Sequence, residues 1–150
     1  MAGRYFDEWL IGQEINHELH RTVTETDNVL ITTLTHNPQP LHLDTEYAEN
    51  SEFGQIVVNG IFTFGLMIGI SVSDTTLGTL VANLGYDKVV MPSPVFIGDT
   101  LRCTTKVVDT RPSKSRPNCG IVSFKHHMHN QRNQIVCSCL RTALIKAKPK

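Results

Sequence analysis

Residues 35–42 carry side chains that could exchange a proton with a bound molecule. The segment reads Thr-His-Asn-Pro-Gln-Pro-Leu-His and is followed by Leu43 and Asp44. Histidine side chains ordinarily titrate near pH ~6.5, so they accept and return protons at cellular pH. Asn37 and Gln39 are amides, which only donate and accept hydrogen bonds near neutral pH. The residue types therefore predict acid–base chemistry by His42, with Asn37 orienting a water molecule.

The prolines within this segment predict how these side chains are presented. Pro38 and Pro40 lack backbone donors, and each favours extended geometry in the residue before it. We therefore expect Asn37, Gln39 and His42 to lie on a stiff, non-helical turn where they can converge. Two plainer interpretations stay open: His42 bonds only a backbone carbonyl of the turn, or Asn37 only stabilises the loop.

A second chemical feature is the start of a helix at Gly60. Asn59 is predicted to cap a helix that runs from Gly60 to about Ser73. The Gly60 N–H is free at that position, and the helix dipole favours negative charge there, so the group could bind an oxygen that becomes negative. The alternative is a glycine needed only for packing.

The elements around these residues predict an α+β fold. The Gly60 helix is apolar almost all round, so we expect it to be buried, with its glycines allowing close approach of sheet strands. The sequence pattern predicts helices at 27–34 and 45–51 and strands at 14–24, 80–91, 100–110, 118–129 and 134–146. Turns at 111–117 and 130–133 make the last three strands antiparallel. A curved antiparallel sheet wrapped around a central buried helix accounts for this order.

Composition narrows the class of protein. At 150 residues we expect a single domain spanning 1–150. Fourteen basic and fourteen acidic residues balance, which argues against nucleic-acid or anionic-membrane partners. The N-terminus has no apolar core typical of a signal peptide, and the apolar run 60–72 is too short to span a bilayer, so we expect a cytoplasmic protein.

The cysteine and histidine patterns predict neither disulfides nor a metal site. The four cysteines are late in the chain and lack a CxxC pair, so we expect reduced thiols packed in the sheet. His127 and His129 share one strand face, but no carboxylate or cysteine at ligand spacing accompanies them.

Residues 34–65 resemble the hydratase motif of MaoC-like (R)-specific enoyl-CoA hydratases. That motif reads Gly-Asp-x-Asn-Pro-x-His, then a small helix, then a His-Gly pair that opens a long helix. Here His42 matches the catalytic histidine, Pro40 the proline, and Asn59-Gly60 the His-Gly pair. The run Pro-Val-Phe-Ile-Gly-Asp-Thr-Leu at 94–101 extends the likeness, and so does Asn130-Gln131, so the similarity covers nearly the whole chain.

The resemblance implies a hot-dog fold and reversible addition of water to a 2-enoyl-CoA thioester. It assigns acid–base catalysis to His42 and oxyanion binding to the Gly60 N–H. It places the acyl-CoA in a pocket between two subunits, which implies a homodimer or higher homo-oligomer, and it requires no cofactor or metal. The substrate-binding residues that follow are Gln39, Asn59, Phe62 and Pro92.

Two positions depart from the family pattern. Asn37 stands where the family has its catalytic Asp, and Gln39 where it has Asn. The sequence pattern Asn-x-x-Pro-Leu-His-Leu-Asp at 37–44 is similar to that of the family branch containing mesaconyl-CoA hydratase (β-methylmalyl-CoA dehydratase). The departures leave three functions open: a hydratase, a hot-dog thioesterase, and a non-catalytic thioester-binding subunit. Asp44 and Glu52 are the nearest carboxylates that could replace the missing Asp.

Overall fold

The computed structural model describes residues 3–149 and contains one five-stranded antiparallel sheet. After a 3₁₀ turn at Phe6–Glu8, the elements in chain order are β1 (Glu14–Thr22), α1 (Glu25–Leu34), α2 (Pro40–Leu43), α3 (Thr45–Glu49), α4 (Gly60–Thr75), β2 (Leu80–Val90), β3 (Thr100–Pro112), β4 (Cys119–His129) and β5 (Ile135–Lys146). The strand order is β1-β3-β4-β5-β2, so β1 and β2 form the two edges.

The alternation of side chains along the central strands places the core on one face of the sheet. In β4 every second residue is buried, including Val122, Phe124 and Met128. β4 pairs with β5 along its length, from Cys119 opposite Lys146 to His129 opposite Ile135. Because α4 contacts β1, β3, β4 and β5, the predicted α+β arrangement of a curved sheet around a helix is confirmed.

The prediction that α4 is buried on all sides is wrong. Its buried face consists of Thr63, Met67, Ile70, Ser71 and Thr75. The opposite side is open: Ile61 is 53% exposed, and a Cβ added at Gly65 or Gly69 would meet nothing within 4 Å. Apolar composition does not reveal which side is covered, and within one chain the sheet covers only one side.

The predicted helix and strand boundaries differ from the structure by at most two residues, except at α2. α1 begins at Glu25 rather than Asp27, because the Thr24 hydroxyl caps it by accepting from the Asp27 N–H at 3.2 Å. The expectation that His42 lies on a non-helical turn is wrong, since His42 belongs to α2. Pro40 takes the first helical position, where a missing N–H breaks no hydrogen bond.

The cysteines of the described residues lie in or beside the sheet as free thiols. All four cysteines are free, and Cys103, Cys137 and Cys139 are buried in the sheet. Across residues 3–149 no helix is long and apolar enough to cross a membrane.

Candidate active site

His42 is held by its ring nitrogen Nδ1. This atom lies 2.7 Å from the carbonyl oxygen of Val57. A carbonyl only accepts hydrogen bonds, so Nδ1 carries the hydrogen, and the lone pair of the neutral ring is on Nε2. Val57 is itself positioned by an antiparallel bridge to Phe96. His42 therefore does bond a backbone carbonyl, and that bond leaves Nε2 able to accept a proton.

A buried asparagine that the sequence reasoning missed joins His42 to the start of α4. Asn28 is 1% exposed; its Nδ2 donates to the His42 carbonyl at 2.9 Å, and its Oδ1 accepts from the Asn59 N–H at 2.9 Å. Asn59 Nδ2 in turn donates to Thr32 Oγ1 at 3.2 Å. A signal was present in the sequence, since Asn28 and Thr32 are polar residues four apart on one face of a helix.

The first turn of α4 leaves one backbone donor unused. The Asn59 side chain caps the helix by accepting from the Ile61 N–H at 3.0 Å. Among residues 3–149 nothing accepts from the Gly60 N–H. A Cβ at Gly60 would lie 2.3 Å from Met91 Sδ, so the glycine also gives room to the Met91 thioether. Both interpretations of Gly60, an anion-binding donor and a packing residue, therefore have a structural basis.

His42 and Gly60 line the same cavity, whose volume is about 400 Å³. Thr63 and Ser93 are the hydroxyl-bearing residues of the wall. The remaining lining is apolar: Phe53, Val57, Val58, Met91, Pro92, Pro94, Val95 and Val136. A mostly apolar cavity with a few polar groups is typical of sites for small organic ligands.

Three of the seven residues predicted for the site line this cavity, and the other four lie outside its lining. Pro92 joins His42 and Gly60 in the lining. The Asn37 Oδ1 accepts from the Gln39 N–H at 3.0 Å, which stabilises the loop, and the Gln39 side chain is exposed. The Asn59 side chain is already hydrogen-bonded to the Ile61 N–H and to Thr32 Oγ1. Phe62 is half-buried, with the Arg21 guanidinium 5.9 Å above its ring.

The carboxylates named as replacements for the missing Asp do not line the cavity either. Asp44 caps α3 by accepting from the Tyr47 N–H at 3.0 Å, and Glu52 is exposed. Asp99 accepts from the Phe96 N–H at 2.9 Å and from Gln131 Nε2 at 2.7 Å, which stabilises the turn before β3. Among the described residues that line the cavity, His42 is the one whose side chain carries an acid–base group.

The histidines of β4 lie on opposite faces of the sheet. His126 is buried in the core, where desolvation first and the Arg141 charge second lower its pKa to about 3. The rings of His127 and His129 lie on the outer face with centroids 6.2 Å apart. No three His, Cys, Asp or Glu side chains of residues 3–149 form a metal-binding group.

The chain is similar in sequence to longer proteins. It is 30% identical to a β-methylmalyl-CoA dehydratase of Chloroflexus aurantiacus over 146 residues, which are 97% of this chain and 41% of the relative. It is also 30% identical to a mesaconyl-CoA hydratase of Cereibacter sphaeroides over 147 residues, 98% of this chain and 42% of the relative. The chain thus spans about two fifths of the length of these curated relatives.

Solved structures share its fold. A putative MaoC domain protein dehydratase from Chloroflexus aurantiacus superposes with a TM-score of 0.91 at 28% identity, covering 98% of this chain and 41% of that one. A Mycobacterium tuberculosis protein described as a double hot-dog fold has a TM-score of 0.88 at 22% identity, covering 99% of this chain and 46% of that one. The expected hot-dog fold is therefore confirmed.

The family model described as "MaoC like domain" matches residues 7–129. This range contains α2, the N-terminus of α4 and the cavity between them except for Val136. With the motif around His42 and the shared hot-dog fold, the match identifies the chain as a member of the MaoC-like domain family.

Proposed function

We propose that this chain catalyses the reversible addition of water across the C2–C3 double bond of a 2-enoyl-CoA thioester. The observation that carries the proposal is that His42, with Nδ1 bound to the Val57 carbonyl, lines one cavity with the Gly60 N–H. The relatives named as a CoA hydratase and a CoA dehydratase support the same reaction class. A relative from Rhodospirillum rubrum named as an (R)-specific enoyl-CoA hydratase, 27% identical over 73% of this chain, agrees with them.

In this mechanism the thioester carbonyl oxygen accepts a hydrogen bond from the Gly60 N–H. The helix dipole and the unused donor stabilise the negative charge that develops as the double-bond electrons move toward that oxygen. Water attacks C3 while His42 Nε2 removes one of its protons. The imidazolium then returns a proton to C2 on the same face, so the net change is syn addition of one water molecule.

Asn37 has a supporting role in the proposal. It lies outside the cavity lining and its Oδ1 accepts from the Gln39 N–H, so it acts by stabilising the loop that leads into α2 and His42. An amide there cannot take the proton, which gives the whole acid–base cycle to His42. The pantetheine arm would follow Pro92 and the surface near Gln39, Asn59 and Phe62.

A second copy of the chain is part of the proposal. The edge strand β2 exposes large apolar side chains, among them Leu84, Tyr86 and Val90. The Ile61 side chain on α4 is exposed as well. Covering such side chains is favourable, so we expect a homodimer or higher homo-oligomer, which light scattering after size exclusion would measure. A cytoplasmic location stays a prediction.

The test follows the enoyl-thioester absorbance band with crotonyl-CoA and mesaconyl-CoA. The variants are His42→Asn, Asn37→Asp and, as a matched control, His36→Asn, which changes an exposed histidine of the same loop. His36 has a φ of 54°, which asparagine tolerates. We expect loss of the band with wild type and His36→Asn but not with His42→Asn.

Other outcomes separate the alternatives. Release of free CoA thiol would mean attack at C1 and a thioesterase; the absence of a carboxylate from the cavity lining within residues 3–149 disfavours this function. Binding of the thioester without turnover would identify a binding subunit. If wild type is silent and only Asn37→Asp consumes the band, the native chain is not a hydratase.

A further inference from the structure

Thr63 has a buried hydroxyl that takes no part in the hydration mechanism. The residue is 2% exposed and lines the cavity that His42 and Gly60 share. Its Oγ1 is shielded from solvent and has no hydrogen-bond partner among residues 3–149. Buried hydroxyls in folded proteins are nearly always paired, so the partner of this one is to be sought in the cavity.

Other buried hydroxyls of the same helix behave differently. Ser71 Oγ donates to the Ile68 carbonyl at 2.7 Å, and Thr75 Oγ1 donates to the Ser71 carbonyl. Both use the carbonyl of the preceding turn, which is the usual local partner of a helical serine or threonine. Thr63 does not use the Asn59 carbonyl in this way, so its hydroxyl keeps its full capacity to bind a ligand.

The position of Thr63 on α4 places it beside the proposed oxyanion donor. Thr63 follows Gly60 by three residues, so the two lie on the same helix face about 5–6 Å apart. Helical side chains point back toward the N-terminus, which brings the Thr63 side chain toward the level of Gly60. A ligand atom near C3 of a thioester bound at the Gly60 N–H is therefore within range of a group on Thr63.

We propose that the Thr63 hydroxyl binds the oxygen atom that is added to or removed from C3. The inference rests on the proposed hydration reaction. Before addition, the water donates one hydrogen to His42 Nε2 and the other to Thr63 Oγ1. The C3–O bond then forms as the first proton passes to His42, and the product hydroxyl keeps its contact with Thr63. Thr63 exchanges no proton overall and acts by fixing the direction of attack.

The test compares Thr63→Val, Thr63→Ser and Thr75→Val with wild type, using crotonyl-CoA. Valine has the shape of threonine without the hydroxyl, so Thr63→Val removes an unpartnered polar atom and should leave Tm unchanged or raise it. We expect its kcat to fall about tenfold or more while KM changes less than about twofold, which is the loss expected for one positioning hydrogen bond. Thr63→Ser keeps the hydroxyl and should restore most of the turnover despite a lower Tm.

Thr75→Val is the matched control. It removes a buried hydroxyl from the same helix, but this one has a partner and does not line the cavity. We expect an unchanged kcat and a Tm that is equal or lower. Only Thr63→Val is thus expected to lose turnover, and it should be at least as stable as Thr75→Val.

Three results would overturn the inference. A Thr63→Val kcat within twofold of wild type means that the hydroxyl does not touch the reacting oxygen, while the proposed function stands. A fall in kcat accompanied by a lower Tm assigns the hydroxyl to folding. If wild type itself leaves the enoyl band unchanged, the proposed function fails, and the inference fails with it.

Discussion

Asn28 acts as a clamp, because its side chain joins the His42 carbonyl to the Asn59 N–H. We therefore expect the nearly isosteric change Asn28→Asp to cause a large loss of stability. The substitution keeps an oxygen that can accept from the Asn59 N–H but replaces the Nδ2 donor, which lies 2.9 Å from the His42 carbonyl, by a second acceptor. Two oxygens then face each other at a site where the side chain is 1% exposed. The carbonyl loses its partner, and a carboxyl group is buried without a counter-charge.

The expected cost follows from these two changes. Leaving a buried carbonyl unsatisfied costs about 1–3 kcal/mol. Burial favours the protonated carboxyl, which can donate to the carbonyl instead. Holding it neutral at pH 7 costs about 1.4 kcal/mol for each unit by which the pKa of an unfolded aspartate, ~3.9, is below the pH, which sets an upper limit of about 4 kcal/mol. We expect a loss of about 2–4 kcal/mol in the free energy of unfolding, or roughly 5–15 °C in Tm for a chain of this size. A shift of His42 relative to Gly60 should lower kcat on the order of 100-fold.

Urea unfolding at pH 7 and fixed protein concentration measures this cost. Asn50→Asp is the matched control, because the Asn50 Nδ2 also donates to a backbone carbonyl, that of Glu46 at 2.8 Å, but on an exposed surface. We expect the control to lose less than about 1 kcal/mol. Equal losses within about 0.5 kcal/mol for the two variants would refute the idea that Asn28 is a clamp. Repeating the comparison at pH 5 should narrow the difference, since a protonated carboxyl can donate to the His42 carbonyl.

Two further predictions concern buried titratable groups. Burial lowers the pKa of His126 to about 3, whereas a histidine of the unfolded chain titrates near ~6.5. Between these values the unfolded state binds a proton that the folded state does not, so stability falls as the pH drops from about 6.5 toward 3. His126 should account for a loss of about 2 kcal/mol between pH 7 and pH 5, and urea titrations of His126→Gln should lack that part of the slope; an identical slope in both proteins would contradict the assignment. Burial also raises the pKa of the Cys103 thiol to about 12 and of the Cys137 and Cys139 thiols to about 11, while Cys119 is partly exposed. A thiol reagent such as dithiobis-nitrobenzoate should therefore modify one thiol per folded chain quickly and the other three only on unfolding, and a larger fast phase would disprove their burial.

Local patterns in the sequence were enough to single out His42 and Gly60, which the structure places at one cavity. The prolines, amides and histidine at 35–42 and the Asn-Gly pair at 59–60 can be recognised without any long-range contact. The helix that begins at Gly60 and the antiparallel order of the last three strands depend on residues near one another in the chain, so they too were predictable. The hydrogen bond that orients the His42 ring was not predictable, because its acceptor, the Val57 carbonyl, is 15 positions away in the chain.

The tertiary structure alone decided the contacts between segments that are distant in the chain. Asn28 reads as an ordinary helical residue until folding brings it to the Asn59 N–H, 31 positions along the chain. The unpaired state of the Thr63 hydroxyl depends on the cavity formed when α4 packs beside the loop after β2. The open side of α4 likewise depends on where the sheet ends. Residue type and spacing determine which groups can do chemistry, but burial and pairing depend on the whole chain, because they are set by whichever atoms fill the surrounding space.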